Sequence, residues 1–93
     1  MPDSKLLKVG DRVRFVSIPT EWSAPGYVVP REDMTFMKRM IKRTRPSRVY
    51  QLDYLGYPWI QAVMRHGKKT VYHFWMISDS TGWRKVSRRV QHQ

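Results

Sequence analysis

Imidazole-based proton transfer or metal binding in this chain would rest on His66, His73 and His92, its three histidines, and, with no cysteine, thiolate chemistry is excluded. None of the three stands with a second ligand at a metal-binding interval such as His-x-x-x-His. His73 sits inside an alternating apolar run and reads as a strand residue with a hydrogen-bonded ring. Asp53 and Asp79 are its candidate partners across neighbouring strands. Both have simpler local roles: Asp53 supports a hairpin or pairs with an arginine, and Asp79 caps the turn before Trp83. Ser78-Asp79-Ser80 offers hydroxyls without the elbow that exposes an activated serine. The five glycines are too dispersed to cradle a phosphate. The expectation is a protein that is not an enzyme and has no metal, no cofactor and no catalytic residues.

Charge is the other chemistry available. Eighteen Lys and Arg face seven Asp and Glu, a formal net charge of +11. A field of that sign draws polyanions. The densest stretch is Arg31–Arg48, where Lys38, Arg39, Lys42, Arg43, Arg45 and Arg48 are the candidate contacts to a nucleic-acid backbone. Further clusters stand at Arg65, Lys68 and Lys69, and at Arg84, Lys85, Arg88 and Arg89. Trp22, Tyr57 and Trp59 are candidate stacking groups for bases. No RNP-type aromatic motif, zinc-finger spacing or helix-turn-helix pair is visible, so backbone contact should dominate and affinity should fall steeply with salt. The bland alternative makes the cations a solvated face and the aromatics core. The functional alternative is a protein-interaction module that docks an acidic or extended peptide on an open sheet edge or in a groove.

The size suits one domain, with ordered structure over about residues 9–87, a loose arm at 1–8 and a basic tail at 88–93. Absence of cysteine fits a reducing compartment. Met1–Gly10 has no apolar core of signal-peptide length, and no segment approaches the roughly 20 apolar residues of a membrane span. A cytoplasmic protein with no membrane partner is expected.

The elements that must position these residues can be read from pattern. Arg12–Ile18 alternates Val13 and Phe15 with arginines, as a half-buried strand does. Thr20–Pro30, with Pro25-Gly26 and Pro30, is a loop. Arg31–Thr44 is the one helix: Met34, Met37, Met40 and Ile41 make an apolar stripe, Glu32 and Asp33 open it, and Lys42 and Arg43 close it. Arg48–Leu55 and Trp59–Arg65 are strands joined by a hairpin at Gly56-Tyr57-Pro58, with Ile60, Ala62 and Met64 on the core face. His66–Lys69 turns into Thr70–Ser78, a strand so apolar that the helix or a loop should cover both its faces. Asp79–Gly82 is a turn, and Trp83–Ser87 a short fifth strand.

Strand, long insertion with a helix, three strands joined by tight hairpins, a brief turn and a last strand: this order resembles an SH3-like small β-barrel from about Val9 to Val86. The resemblance implies a mainly β fold, a five-stranded barrel with one helix inserted between the first and second strands. Gly10-Asp11-Arg12-Val13, Gly56-Tyr57-Pro58-Trp59-Ile60 and Gly82-Trp83 also resemble a group of small uncharacterised bacterial proteins, which implies no activity. The chain departs from peptide-binding SH3 domains, because Arg12–Ile18 lacks an Ala-Leu-Tyr-Asp-Tyr-type motif and the insertion ends strongly basic.

Overall fold

The structure is a computed structural model and describes residues 3–86; Ser87, expected to end the fifth strand, and the expected tail at 88–93, with His92, Arg88 and Arg89, lie outside the described residues. The strands are β1 (Arg12–Phe15), β2 (Ser47–Leu52), β3 (Pro58–His66), β4 (Lys69–Met76) and β5 (Trp83–Val86), and the helix α1 (Arg31–Lys42) falls between β1 and β2. All neighbours are antiparallel, in one open sheet of order β4-β3-β2-β1-β5. The fold is therefore mainly β with one inserted helix, as the pattern predicts.

β2 is the joint of the sheet. Its first residues pair with β1 (Arg12↔Arg48, Val13↔Ser47), whereas from Val49 onward it pairs with β3 (Val49↔Ile60, Gln51↔Trp59). The register shifts between Val49 and Gln51, which leaves Tyr50 at a bulge and bends the strand. Beyond Ile60, β3 keeps β4 on one side only, with pairs running to His66↔Lys69.

Side-chain alternation then separates two faces. Pro58, Ile60, Ala62 and Met64 of β3 are buried with Val49, Val13 and Phe15, on the face the sequence assigns to the core. α1 lies over this face and buries Phe36, Met37 and Met40, with Met34 and Ile41 partly covered. Phe36 is an addition to the expected stripe; its ring stacks on Trp75 at 4.9 Å and lies 5.2 Å from His73. The helix stops two residues short of the expected Thr44. Arg43 is already extended (φ −72°, ψ 134°), and Pro46 keeps the residue before it out of the helical region.

Two other expectations change. The strand Thr70–Ser78 is not covered on both faces. α1 covers the side with His73 and Trp75, but Tyr72 and Phe74 are 58% and 54% exposed. The reason is layer count: one helix covers one face, and no other described element remains for the second. Residues 3–8, expected as a loose arm, instead form a short 3₁₀ turn at Ser4–Leu6, capped by Asp3, whose Oδ1 accepts from Lys5 N at 3.0 Å. Leu7 follows into the core at 3% exposure, so this segment is docked.

Candidate nucleic-acid interface

Helical spacing puts Lys38 and Lys42 off the stripe of Phe36, Met37 and Met40, while Arg39 and Arg43, three residues on from Phe36 and Met40, flank it. Lys38, Arg39 and Lys42 are exposed, and Arg43 is half-buried with Nη1 3.7 Å from Met40 Sδ. Arg45 is exposed in the short connection that follows. Arg48 is exposed on β2 and is set apart from the others: it lines a separate cleft of about 690 Å³ with Gly10, Asp11, Arg12 and Lys85.

The end of α1 runs past the stretch of β3 that β2 leaves unpaired. The two elements enclose a cleft of about 390 Å³ lined by Arg39, Lys42, Arg43, Val63, Met64 and Arg65. Arg39 also lines a second cleft of about 290 Å³ with Arg31, Glu32, Phe36, His66 and His73. In it the two histidine Nε2 atoms lie 3.4 Å apart. Burial, then His66, then Arg39 hold His73 below the usual imidazole value, so its ring is neutral at pH 7.

These cations lack carboxylate partners. Among the described residues one ion pair forms, Lys85 Nζ to Asp11 Oδ2 at 3.6 Å. The acids are occupied elsewhere, chiefly by local hydrogen bonds. Asp53 Oδ1 accepts from Leu55 N and Tyr57 N at 2.9 Å each, and its Oδ2 accepts from Trp59 Nε1 at 3.1 Å. Asp11 Oδ2 accepts from Lys8 N at 2.8 Å. Glu32 and Asp33 sit at the start of α1, where the helix dipole favours them. Asp53 supports the hairpin, one of the local roles foreseen for it. Asp79 instead binds two indoles: its Oδ2 accepts from Trp22 Nε1 at 3.1 Å and its carbonyl from Trp83 Nε1 at 2.7 Å.

The candidate stacking residues are scattered. Trp22 is buried, 6.1 Å from Trp75. Tyr57 is half-buried with Lys5 Nζ 4.7 Å above its ring. Trp59 is half-buried at the start of β3, and six strand residues put it roughly 20 Å from Arg65 in the cleft. The structure thus gathers Arg39, Lys42, Arg43 and Arg65, and leaves Trp22, Tyr57 and Trp59 away from them. The more exposed aromatics include Tyr50, Tyr72 and Phe74, which sequence reasoning does not select. Within β4 nearly every position is bulky, so alternation cannot say which rings face solvent. Among the described residues no three His, Asp or Glu gather to hold a metal ion, and no helix is long and apolar enough to cross a membrane.

A second polar cluster joins the loop before α1 to the turn before β5. Thr20–Ser23 forms a 3₁₀ turn, and Glu21 Oε2 accepts from Ser80 N at 2.6 Å and Ser80 Oγ at 3.0 Å, while Oε1 accepts from Thr81 Oγ1. Burial alone would raise the Glu21 carboxyl. The bonds from Thr81 and Ser80 outweigh it and hold the group at about 2, against an ordinary 4.5. A depressed carboxyl contributes stability above 4.5 and loses it as pH falls toward 2. Asp79 runs the other way: burial raises it, the Trp22 bond lowers it and Glu21 raises it again, so its contribution is lost as pH rises from 3.8 through its raised value. Glu21→Gln should therefore cost about 1 kcal/mol at pH 7, allowing for solvent screening. Urea unfolding at several pH values should also show the variant losing less stability than the parent between pH 4.5 and 2. Parallel pH profiles would show that the carboxylate is not the clasp.

No family model, curated protein or solved structure matches the chain.

Proposed function

We propose that the protein is a non-enzymatic binding module, built on a small SH3-like barrel, that engages the backbone of RNA or DNA through α1 and its neighbouring segments. The observation that carries this reading is the cleft of Arg39, Lys42, Arg43 and Arg65, with Lys38 and Arg45 next to it in the chain, whose charges no carboxylate among the described residues pairs with. Folding brings like charges together here and leaves them uncompensated, at a cost that a polyanion removes on binding. Phosphates do so with release of condensed counterions. The strand order, antiparallel throughout and bent at the Tyr50 bulge where β2 changes partners, supports the barrel-like reading of the fold.

The test is fluorescence anisotropy of labelled single-stranded RNA and duplex DNA, titrated with the protein at about 50 and 200 mM salt. Saturable binding that weakens at least tenfold over that range is expected. Absence of binding at the lower salt would remove the polyanion from the account and turn attention to an acidic protein partner.

A further inference from the structure

The uncovered face of the β2–β3–β4 section carries a set of side chains that the backbone reading leaves unused. Strand register fixes its membership. On β3 the residues pointing away from the core are Trp59, Gln61, Val63 and Arg65, and their β4 partners are Met76, Phe74, Tyr72 and Thr70. β2 adds Tyr50 on the same side. Tyr50, Val63, Tyr72 and Phe74 are 39%, 48%, 58% and 54% exposed. The Tyr50 and Phe74 rings meet edge to face with centroids 5.9 Å apart, which holds both in place across β3. Tyr72 and Phe74 alternate along β4 at about 7 Å spacing.

This aromatic face is continuous with the basic cleft. Val63 and Arg65 line the cleft, and their cross-strand partners on the open face are Tyr72 and Thr70. No carboxylate lies in β2, β3 or β4. A solvent-exposed apolar face with the cations of the cleft at one margin, and with Asp53 at its Trp59 end already held by hydrogen bonds, is complementary to an anionic chain that also presents flat apolar rings.

From this juxtaposition we infer that Tyr50, Tyr72 and Phe74 form a stacking platform for unpaired bases, and that the ligand is single-stranded nucleic acid in preference to duplex. The inference rests on the proposed polyanion binding and adds the source of selectivity. Arg39, Lys42, Arg43 and Arg65 hold the phosphates in the cleft. The strand then crosses the end of β3 and lays its bases on Tyr72 and Phe74, with Tyr50 behind. In a duplex the bases are stacked on one another and cannot use the rings, so duplex binds by charge alone. Stacking tolerates any base, so little sequence preference follows.

The experiment compares a labelled 12-nucleotide single strand with its duplex, using the full chain and two ring variants. Tyr72→Ala/Phe74→Ala should weaken single-strand binding at least tenfold and leave duplex binding within about twofold, since each stacked base contributes about 5- to 150-fold. Tyr72→Leu/Phe74→Leu keeps the face apolar without aromatic rings and should lose most of the same affinity. Both positions are solvent-exposed, and unchanged circular dichroism and thermal midpoint check the fold. Equal loss on both ligands, or no loss in either variant, would overturn the platform while leaving backbone binding standing. If the parent binds neither ligand, the polyanion reading itself fails. Ring substitutions that abolish self-association of the protein but not single-strand binding would assign the face to a second copy of the chain and also overturn the inference.

Discussion

Replacing Lys38, Arg39, Lys42 and Arg43 together by Glu should abolish detectable nucleic-acid binding at about 100 mM salt while leaving the fold intact. None of the four side chains belongs to the buried core, so the change removes no core contact apart from the Arg43–Met40 approach. Each reversal replaces an attraction to phosphate with a repulsion, and Arg39, Lys42 and Arg43 share one cleft. Loss of about three phosphate contacts alone weakens binding by orders of magnitude at this ionic strength. Anisotropy on the variant, with circular dichroism as the fold control, is the check. Retained affinity would remove the helix from the interface. Each Lys or Arg to Glu change shifts the net charge by two, so Lys5→Glu/Lys8→Glu/Arg12→Glu/Arg84→Glu serves as the control of equal charge. Those residues are exposed and lie outside the cleft, and their replacement should cost far less affinity.

The largest stability effect is expected at Gly82. It takes φ +89°, and a Cβ there would stand 2.7 Å from the Ser17 carbonyl oxygen and 3.0 Å from Pro19 N. Its own carbonyl accepts from Val16 N at 2.8 Å and Ser17 N at 3.2 Å, so the residue is the weld between the end of β1 and the start of β5. Gly82→Ala combines a left-handed penalty of about 1–2 kcal/mol with backbone overlap of a further 1–3 kcal/mol. A loss of about 3 kcal/mol, or roughly 15 °C in Tm, follows. Gly26 is the matched control, with φ +81° and open space around the position a Cβ would take. Gly26→Ala carries the conformational penalty alone and should lose only about 1 kcal/mol. Equal losses at the two sites would show that the close approach to Ser17 does not exist in solution.

What the sequence can and cannot reveal follows from where the physical signal lies. Ile60, Ala62 and Met64 alternate with outward-facing neighbours in β3, and their face is readable as core. The helix is readable from its methionines, but Phe36 falls between the expected stripe positions and emerges only from its contact with Trp75. β4 reads as a strand covered on both sides because Thr70–Met76 is bulky throughout. Composition cannot distinguish a doubly buried strand from one with an exposed aromatic face; that depends on having only one helix to cover two faces. Leu7 gives no period in Met1–Lys8, so its docking is invisible there. The basic residues of α1 are legible as a group. Their junction with Arg65 is not, because it depends on β2 leaving β3 after Ile60, beside the Tyr50 bulge. Trp22, Tyr57 and Trp59 stand out by residue type and loop position, whereas exposure depends on Asp79, Lys5 and Asp53 engaging them.

The most direct test of the account is the slope of log affinity against log salt for a single-stranded oligonucleotide, measured from about 50 to 300 mM. Neutralising about five to seven phosphates with the cleft and its flanking cations predicts a slope of about −3.5 to −5, at about −0.7 per contact. The four-residue helix variant should then show a slope shallower by about 2 or more, wherever its binding can be measured. A parent slope between zero and about −1 would contradict the claim that this basic surface is a nucleic-acid interface.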